Sequence, residues 1–193
     1  MKFKLFSYEE VDSTNNIAMN LIKTKNYNNG FIVASSQKKG RGRRGRKWIS
    51  KKGNLFTSIF FHLKNNYPTV EQFTLINALI NFDIIKKYCG RKKISYKPPN
   101  DIYINKKKVC GILQEVVTKN KNKYLIVGIG INLITSPKLK KYFSTSIYKE
   151  TNKKPKLIKL VKEIIKKYEN FFKNIKNFNF SEFQNESNKI LLN

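Results

Sequence analysis

The sequence of 193 residues has few cysteines and no long apolar segment, and both shortages restrict its class. Two cysteines, Cys89 and Cys110, cannot supply the disulfide framework of a small secreted domain, and they fit a reducing compartment. The amino-terminal segment lacks the apolar core of a secretory signal, and no apolar run reaches membrane-spanning length. We therefore expect a cytoplasmic protein with no membrane partner.

Acidic residues are also scarce. Twelve aspartates and glutamates face 40 lysines and arginines, which gives a formal net charge of +28. Such an excess favours binding to nucleic acid or to another anionic surface. The excess is lysine, spread along the whole chain among many asparagines, isoleucines and tyrosines, and we favour a genome rich in A and T as its cause. We expect no specific DNA binding, and a basic nucleic-acid-binding module stays open as an alternative.

Arginine is rare, and four of the five arginines lie in the stretch GRGRRGRKW at residues 40–48, here called the arginine loop. A guanidinium can hold phosphate or carboxylate through two parallel hydrogen bonds, which an ammonium cannot do. Three glycines alternate with the arginines and allow the backbone to approach a ligand closely. The stretch predicts a mobile cationic loop that folds over an anion.

The arginine loop also matches the dinucleotide-binding pattern GxGxxG, but its surroundings do not. That pattern opens a helix and is followed about 20 residues later by an acidic residue for the ribose. Here residues 55–63 have the pattern of a strand, and the first acidic residue after the loop is Glu71. We reject the dinucleotide-binding interpretation.

Hydrophobic periodicity predicts an α+β fold with a mixed, largely antiparallel sheet packed by helices. A first helix is predicted to begin at residues 12–15, where Ser13 and its neighbours are typical helix caps, and a turn is predicted at 28–30. Further helices are predicted at 70–88, 155–172 and 180–192, and strands at 3–8, 31–36, 55–63, 94–97, 102–104, 107–117 and 123–132. No repeat or linker divides the chain, so we expect one domain over residues 1–193.

Four motifs follow one another along the chain: DSTN at 12–15, Gln37 with the arginine loop, KPPND at 97–101 with GILQE at 111–115, and GIGIN at 128–132. Together they resemble the catalytic domain of the biotin protein ligases, the biotin–acetyl-CoA-carboxylase ligases, over nearly the whole chain. The resemblance implies the biotinyl/lipoyl protein ligase fold, which is similar to that of class II aminoacyl-tRNA synthetases.

The resemblance also implies an ATP-dependent ligase that works in two steps. The carboxylate of biotin attacks the α-phosphate of ATP, which gives biotinyl-5′-AMP and pyrophosphate. A lysine of the biotin carboxyl carrier protein of acetyl-CoA carboxylase then attacks the acyl group, and AMP leaves. Magnesium would bridge the phosphates mostly through water, as that ion prefers, without a dedicated set of protein ligands.

Particular residues acquire roles from this resemblance. Lys97 and Arg43 are the implied catalytic residues, with Lys97 bridging the biotin carboxylate and the α-phosphate. Asn132 is expected near the adenine, and Arg46 near the departing pyrophosphate. The implied biotin contacts are Ser13, Thr14, Asn15, Gln37, Arg41, Gly42, Arg43, Lys97, Gly111 and Gly130, and the implied nucleotide contacts are Arg41, Arg43, Arg46, Lys97 and Asn132.

The sequence departs from the family pattern at two places. Pro98 stands where relatives usually have a tryptophan that packs on biotin, so biotin affinity is expected to be lower. Relatives also usually continue into a small carboxy-terminal barrel, whereas this sequence stops at Asn193. We expect the catalytic domain alone, without that barrel and without an amino-terminal DNA-binding domain, as a monomer or a homodimer.

Two further alternatives stay open from the sequence. A lipoate or octanoate ligase or transferase would share the fold, although the arginine loop in this form is characteristic of the biotin branch. A degenerate member would bind biotinyl-adenylate without transferring the biotin.

Overall fold

The computed structural model describes residues 1–138 and 143–192, and its centre is one seven-stranded sheet. The strands lie side by side in the order β1-β2-β3-β7-β6-β5-β4. Only β1 and β2 run parallel, and every other neighbouring pair is antiparallel. The strands are β1 (Leu5–Val11), β2 (Asn29–Gln37), β3 (Leu55–His62), β4 (Ile94–Lys97), β5 (Asp101–Ile104), β6 (Lys107–Lys119) and β7 (Asn122–Ile131). The predicted α+β class with a largely antiparallel sheet is therefore confirmed.

Helices cover both faces of this sheet. They are α1 (Thr14–Lys25), α2 (Val70–Cys89), α3 (Ile147–Thr151), α4 (Leu157–Lys173) and α5 (Phe180–Asn188). All four predicted helices are present. Helix α3 was not predicted, because five residues are too few to display a helical period. The last helix was predicted too long: α5 ends at Asn188, and Leu191 instead forms a parallel bridge with Tyr96 of β4.

Alternation along the central strands gives the protein two hydrophobic layers. Phe31 and Ile59 point into the larger core beneath α2 and α4, whereas Ile32 and Phe60 pack with the smaller cluster beneath α1. The central strands are therefore buried on both faces, which explains why β3 is apolar almost throughout. The larger core is on the α2 side, and the face that carries α1 retains room for a cavity.

The prediction of a turn at residues 28–30 is wrong. Strand β2 already begins at Asn29, and Gly30 is paired with Phe60 inside the sheet. A methyl group added at Gly30 would lie 2.6 Å from the Phe60 ring, so glycine is required for close packing there and not for a turn.

No helix within residues 1–138 and 143–192 combines the length and the apolar character that crossing a bilayer requires.

Candidate active site

The predicted contact residues come together around one cavity of about 460 Å³ on the α1 face of the sheet. The cavity extends from the start of α1 across β2, β3, β7 and β6 to the β4–β5 hairpin, and the arginine loop covers it. The predicted residues that line it are Ser13, Thr14, Asn15, Gln37, Arg41, Gly42, Arg43, Arg46, Lys97, Gly111 and Gly130.

One end of the cavity is built from uncharged polar groups at the start of α1. The backbone N–H of Thr14 donates to Gln37 Oε1 at 2.8 Å, and Gln37 Nε2 donates to Ser50 Oγ at 2.9 Å. The Ser58 hydroxyl oxygen on β3 lies 2.7 Å from Thr14 Oγ1. Ser13 occupies the N-cap position, but its side chain makes no capping hydrogen bond. These side chains hold one another at fixed positions, and they present donors and acceptors to whatever occupies the cavity.

A charged cluster joins this polar end to the arginine loop. Arg41 Nη2 lies 2.8 Å and 3.1 Å from the two carboxylate oxygens of Glu115 on β6. Asn15 Nδ2 donates to the same carboxylate at 2.6 Å, and Arg41 Nη1 donates to Asn16 Oδ1. Glu115 belongs to the GILQE motif, but the sequence analysis assigned it no role.

The arginine loop folds back on itself as an irregular hairpin. Arg41 and Lys47 form an antiparallel bridge, Gly42 N–H donates to the Arg46 carbonyl at 2.6 Å, and Trp48 N–H donates to the Gly40 carbonyl at 2.9 Å. The tip is exposed, and the hairpin returns so that Trp48 lies over the cavity. The loop therefore covers the cavity, and its closure over a ligand stays a prediction.

The Trp48 indole explains two glycines of the sheet. Gly111 of β6 and Gly130 of β7 are paired directly opposite each other. A methyl group at Gly111 would lie 2.7 Å from the Trp48 ring, and one at Gly130 would be closer still. The indole Nε1 is buried and has no hydrogen-bond partner within the described ranges. The two glycines therefore form a flat floor on which the indole rests.

The other end of the cavity carries cations on the β4–β5 hairpin and β6. Lys97 is exposed at the rim, with Nζ 5.7 Å from the centre of the Tyr103 ring. Lys108 is better enclosed: its side chain is 13% exposed, its Nζ lies 2.7 Å from Asp101 Oδ1, and the same Nζ is 5.4 Å from the Trp48 ring. Lys108 is the most enclosed lysine that lines the cavity. It was not among the residues predicted from the sequence.

A β-bulge explains why Lys108 was missed. The register between β5 and β6 shifts between Ile102 and Tyr103, so β6 holds one extra residue there. Strict alternation would put positions 108 and 111 on opposite faces of the sheet, whereas the bulge allows both Lys108 and Gly111 to line the cavity.

The KPPND segment forms the turn of the β4–β5 hairpin and is fixed to β6. Asn100 Nδ2 donates to the Ile112 carbonyl at 2.7 Å, and the Ile112 N–H donates back to the Asn100 carbonyl at 2.9 Å. Arg43 Nη1 reaches Asn100 Oδ1 at 3.3 Å, which places this arginine above the cationic end. Pro98 and Pro99, joined by a cis peptide bond, form the exposed edge of the turn.

Asn132 is the one predicted contact residue outside the main cavity. It follows β7, is 2% exposed, and donates from Nδ2 to the Thr145 carbonyl at 3.0 Å. It lines a smaller pocket that shares Lys108 and Trp48 with the main cavity. Its Oδ1 has no partner in the part of the chain that the structure describes. The expected contact with adenine stays a prediction.

Neither cysteine has the properties of a nucleophile. Burial raises the pKa of Cys89 to about 11 and raises the pKa of Cys110 further, so both thiols stay protonated at neutral pH. Within the described ranges no group of three or more His, Cys, Asp or Glu side chains is arranged to hold a metal ion.

Comparisons with known proteins agree with this architecture. The Aquifex aeolicus biotin protein ligase, solved with biotin and ATP, is 31% identical and superposes with a TM-score of 0.80 over 98% of this chain and 78% of that chain. The Leishmania major biotin protein ligase, solved with biotinyl-5-AMP, is 26% identical, with a TM-score of 0.84 over 98% of this chain and 81% of that one.

Sequence comparison leads to the same group of proteins. The Escherichia coli bifunctional ligase/repressor BirA is 34% identical over 125 residues, which are 64% of this chain and 38% of that protein. The Paracoccus denitrificans biotin–[acetyl-CoA-carboxylase] ligase is 33% identical over 128 residues, 65% of this chain and 53% of the relative. The chain thus spans about half or less of the length of these curated relatives.

A family-level match covers the segment that contains all four motifs. It extends over residues 8–132, from β1 to the residue after β7, and so includes the polar end, the arginine loop, the cationic end and the glycine floor. Because this segment is more than half of the sequence, the chain belongs to the biotin/lipoate A/B protein ligase family.

Proposed function

We propose that this chain is a biotin–protein ligase that activates biotin with ATP and transfers it to a lysine of the biotin carboxyl carrier protein of acetyl-CoA carboxylase. The observation that carries the proposal is the polarity of the cavity, which has neutral hydrogen-bonding groups at one end and cations at the other. Biotin has the same polarity, because its ureido head is neutral and its carboxylate is anionic. The cavity extends from β2 to β5, four strand steps apart, or roughly 19 Å at the usual spacing.

The polar end provides the partners that a buried ureido group needs. Thr14, Asn15 and Gln37 offer hydroxyl and amide groups whose positions are already fixed by their bonds to Ser58, Glu115 and Ser50. A buried donor or acceptor left unpaired costs about 1–3 kcal/mol, so a matching set of partners selects for the ureido head. Preformed positions also reduce the entropy lost on binding.

The cationic end provides charge where the first reaction needs it. An oxygen of the biotin carboxylate attacks the α-phosphorus of ATP, the bond to the β-phosphate oxygen breaks, and pyrophosphate leaves with the bonding electrons. Two anions must approach each other, and negative charge builds on the phosphoryl oxygens. Lys97, Lys108 and Arg43 would offset that repulsion and stabilise the transition state. Magnesium would arrive on the ATP phosphates and neutralise part of their charge.

The second reaction needs no nucleophile from this chain. The amine of the carrier lysine attacks the acyl carbon of the mixed anhydride, and AMP leaves with the electrons of the acyl–oxygen bond. The protonated state of both buried thiols agrees with this scheme. The exposed tip of the arginine loop would cover the adenylate until the carrier arrives, and Asn132 would contact the adenine from the smaller pocket.

Two alternative functions can be distinguished from biotin ligation by an exchange assay combined with a nucleic-acid binding measurement. A lipoate or octanoate ligase belongs to the same family, and the net charge of +28 motivates a nucleic-acid-binding module. ATP–pyrophosphate exchange should be measured separately with biotin, lipoate and octanoate. We expect exchange with biotin alone. Exchange with lipoate or octanoate would assign the chain to the other branch. No exchange with any acid, together with salt-dependent RNA or DNA binding, would favour the nucleic-acid module.

A further inference from the structure

Glu115 occupies an unusual place among the acidic residues, because it lies between two predicted biotin contacts and touches both. Its carboxylate receives Arg41 Nη2 at 2.8 Å and Asn15 Nδ2 at 2.6 Å. Just before the arginine loop, ion pairs join Lys38 to Glu10 and Lys39 to Asp12, and in both pairs the side chains are about half exposed or more. The Arg41 and Glu115 side chains are only 35% and 26% exposed.

The position of Glu115 follows from the pleat of β6. Gly111 and Leu113 line the cavity, and Glu115, two residues further on, meets Asn15 and Arg41 on the same face of the sheet. Gln114 points to the helical side and bonds to Asn77 of α2. The carboxylate therefore emerges on the same face as the glycine floor. A partly enclosed carboxylate beside a guanidinium forms a stronger and better-oriented bond than an exposed lysine pair.

The carboxylate also fixes the orientation of the Asn15 side chain. Because Asn15 Nδ2 donates to Glu115, its Oδ1 must face the other way, where it accepts from the Ser58 hydroxyl. The Ser58 oxygen also lies 2.7 Å from Thr14 Oγ1. One carboxylate thus connects the stem of the arginine loop on one side to the polar end of the cavity on the other.

We infer that Glu115 is a positioning residue for biotin binding, which holds the stem of the arginine loop against the cavity through Arg41 and orients the amide of Asn15. This inference rests on the proposed function. The contacts of Glu115 also distinguish the roles of the arginines in the loop. The guanidinium of Arg41 is engaged by Glu115 and by Asn16, so its role is to hold the loop. Arg43 and Arg46 are then the side chains available to a phosphate.

A binding experiment on four variants tests the inference. Biotin affinity is measured by calorimetry for Glu115→Gln, Arg41→Ala, Glu115→Ala and the Arg41→Ala/Glu115→Ala double variant. Loss of a charged hydrogen bond predicts about tenfold weaker binding for Glu115→Gln. The double variant should be little weaker than either alanine variant, because the two residues act as one unit. In exchange assays of Glu115→Gln, KM for biotin should rise while kcat changes by less than about twofold.

Glu169 provides a matched control. Its carboxylate is 18% exposed and also accepts from a cation, Lys2 Nζ at 2.9 Å, and from a second donor, the Phe3 N–H at 3.2 Å. It lies on α4, on the opposite side of the sheet from the cavity. Glu169→Gln makes the same chemical change and should leave biotin affinity unaltered. A merely structural role for Glu115 would make the two glutamine variants behave alike.

A second measurement does not depend on the ligand. Four of the five arginines lie in the arginine loop, so an arginine-specific protease reports on that loop almost alone. Without biotin, Glu115→Gln should be cut in the loop several-fold faster than the parent chain, since cleavage follows the population of the opened state. Glu169→Gln should be cut at the parent rate.

The outcomes separate the inference from the proposed function. Weaker biotin binding with non-additive variants and faster loop cleavage supports the inference. Unchanged biotin affinity in Glu115→Gln, or fully additive losses in the double variant, overturns it. If the parent chain fails to bind biotin, the proposed function fails. The cleavage rates then decide the remaining claim: equal rates for Glu115→Gln and the parent chain would also overturn the role of Glu115 in holding the loop.

Discussion

The two faces of the central sheet both bury polar networks, and they use them differently. On the helical face, the Tyr168 hydroxyl donates to Asn77 Oδ1 at 2.9 Å, Asn77 Nδ2 donates to Gln114 at 3.2 Å, and Gln114 donates to the Val70 carbonyl at 3.1 Å. On the cavity face, the network of Thr14, Asn15, Gln37 and Glu115 borders open space. Polar groups packed between the sheet and its helices stabilise a packing arrangement, whereas polar groups beside a cavity are available to a ligand.

Adjacent residues of β6 show the contrast within one strand. Gln114 faces α2 and bonds to two residues of that helix, whereas Glu115 bonds to the arginine loop and to α1. Substitutions on the helical face should therefore change the free energy of unfolding, and those on the cavity face should change binding or catalysis. The predictions below test this separation, beginning with the largest expected effect.

The largest effect is expected from Lys108→Ala on the cavity face. Removing one preorganised charge from a transition state commonly costs about 10²–10³-fold in rate, and Lys108 is the most enclosed cation of the cavity. ATP–pyrophosphate exchange should fall by that factor in a sample that is still folded at the assay temperature, although loss of the ion pair with Asp101 should lower the melting temperature. Lys97→Ala is the comparison, and its loss should be smaller, because an exposed ammonium is screened by water and salt. The opposite ranking would make Lys97 the main catalytic lysine.

The next prediction concerns the polar network on the helical face of the sheet. Tyr168→Phe removes the donor to Asn77 Oδ1 in a fully buried site and should lower the free energy of unfolding by about 1–3 kcal/mol in urea titrations. Tyr88→Phe is the matched control, since its hydroxyl bonds to a partly exposed Glu163, and it should cost under about 0.5 kcal/mol. Biotin affinity should be unaltered in both variants. Weaker binding in Tyr168→Phe would show that the two faces are coupled.

The cavity-face counterpart is Thr14→Val, which keeps the shape of the side chain and removes its hydroxyl. The Thr14 hydroxyl oxygen lies 2.7 Å from the Ser58 hydroxyl oxygen and 3.2 Å from Gln37 Oε1. We expect biotin to bind about tenfold more weakly, with a smaller change in stability than Tyr168→Phe produces. Thr74→Val on α2, which removes a hydroxyl that donates to the Val70 carbonyl, serves as the control and should bind biotin normally.

The smallest effect concerns pH and the helical face. Burial alone raises the pKa of Glu169, but hydrogen bonds from Lys2 and from the Phe3 N–H outweigh it, so its pKa lies below the ordinary 4.5. Because the folded-state pKa is lowered, this carboxylate stabilises the fold above pH 4.5, and the contribution is lost as the pH falls through the folded-state value. Unfolding titrations should show a steeper acid loss for the parent chain than for Glu169→Gln. Equal slopes would remove Glu169 from the acid response.

Much of the fold was accessible from the sequence, because long elements have strong periodicity. The helix α2 and the strands β3, β6 and β7 were predicted within a few residues of their observed ends. Failures occurred where local pattern and tertiary contact disagree. Gly30 has the composition of a turn but packs against Phe60, and the segment after Asn188 returns to the sheet beside Tyr96.

The site was predicted through its motifs, and what was missed depends on geometry. Eleven of the twelve predicted contact residues line one cavity, and Asn132 lies in the neighbouring pocket. Their individual roles stay predictions. Lys108 escaped notice because a β-bulge changes the face it occupies, and Glu115 because its partners are 74 and 100 residues away in sequence. Neither a bulge nor a long-range ion pair leaves a local signal.

Trp48 has one more consequence, because the chain contains no other tryptophan. Its indole rests on the glycine floor formed by Gly111 and Gly130 and beneath Lys108. Light absorbed selectively by tryptophan is therefore emitted from a single point inside the cavity, next to a cation and at the junction of the two pockets. The protein thus carries its own optical probe at the place where ligands are proposed to bind, and no label has to be introduced to follow that place in solution.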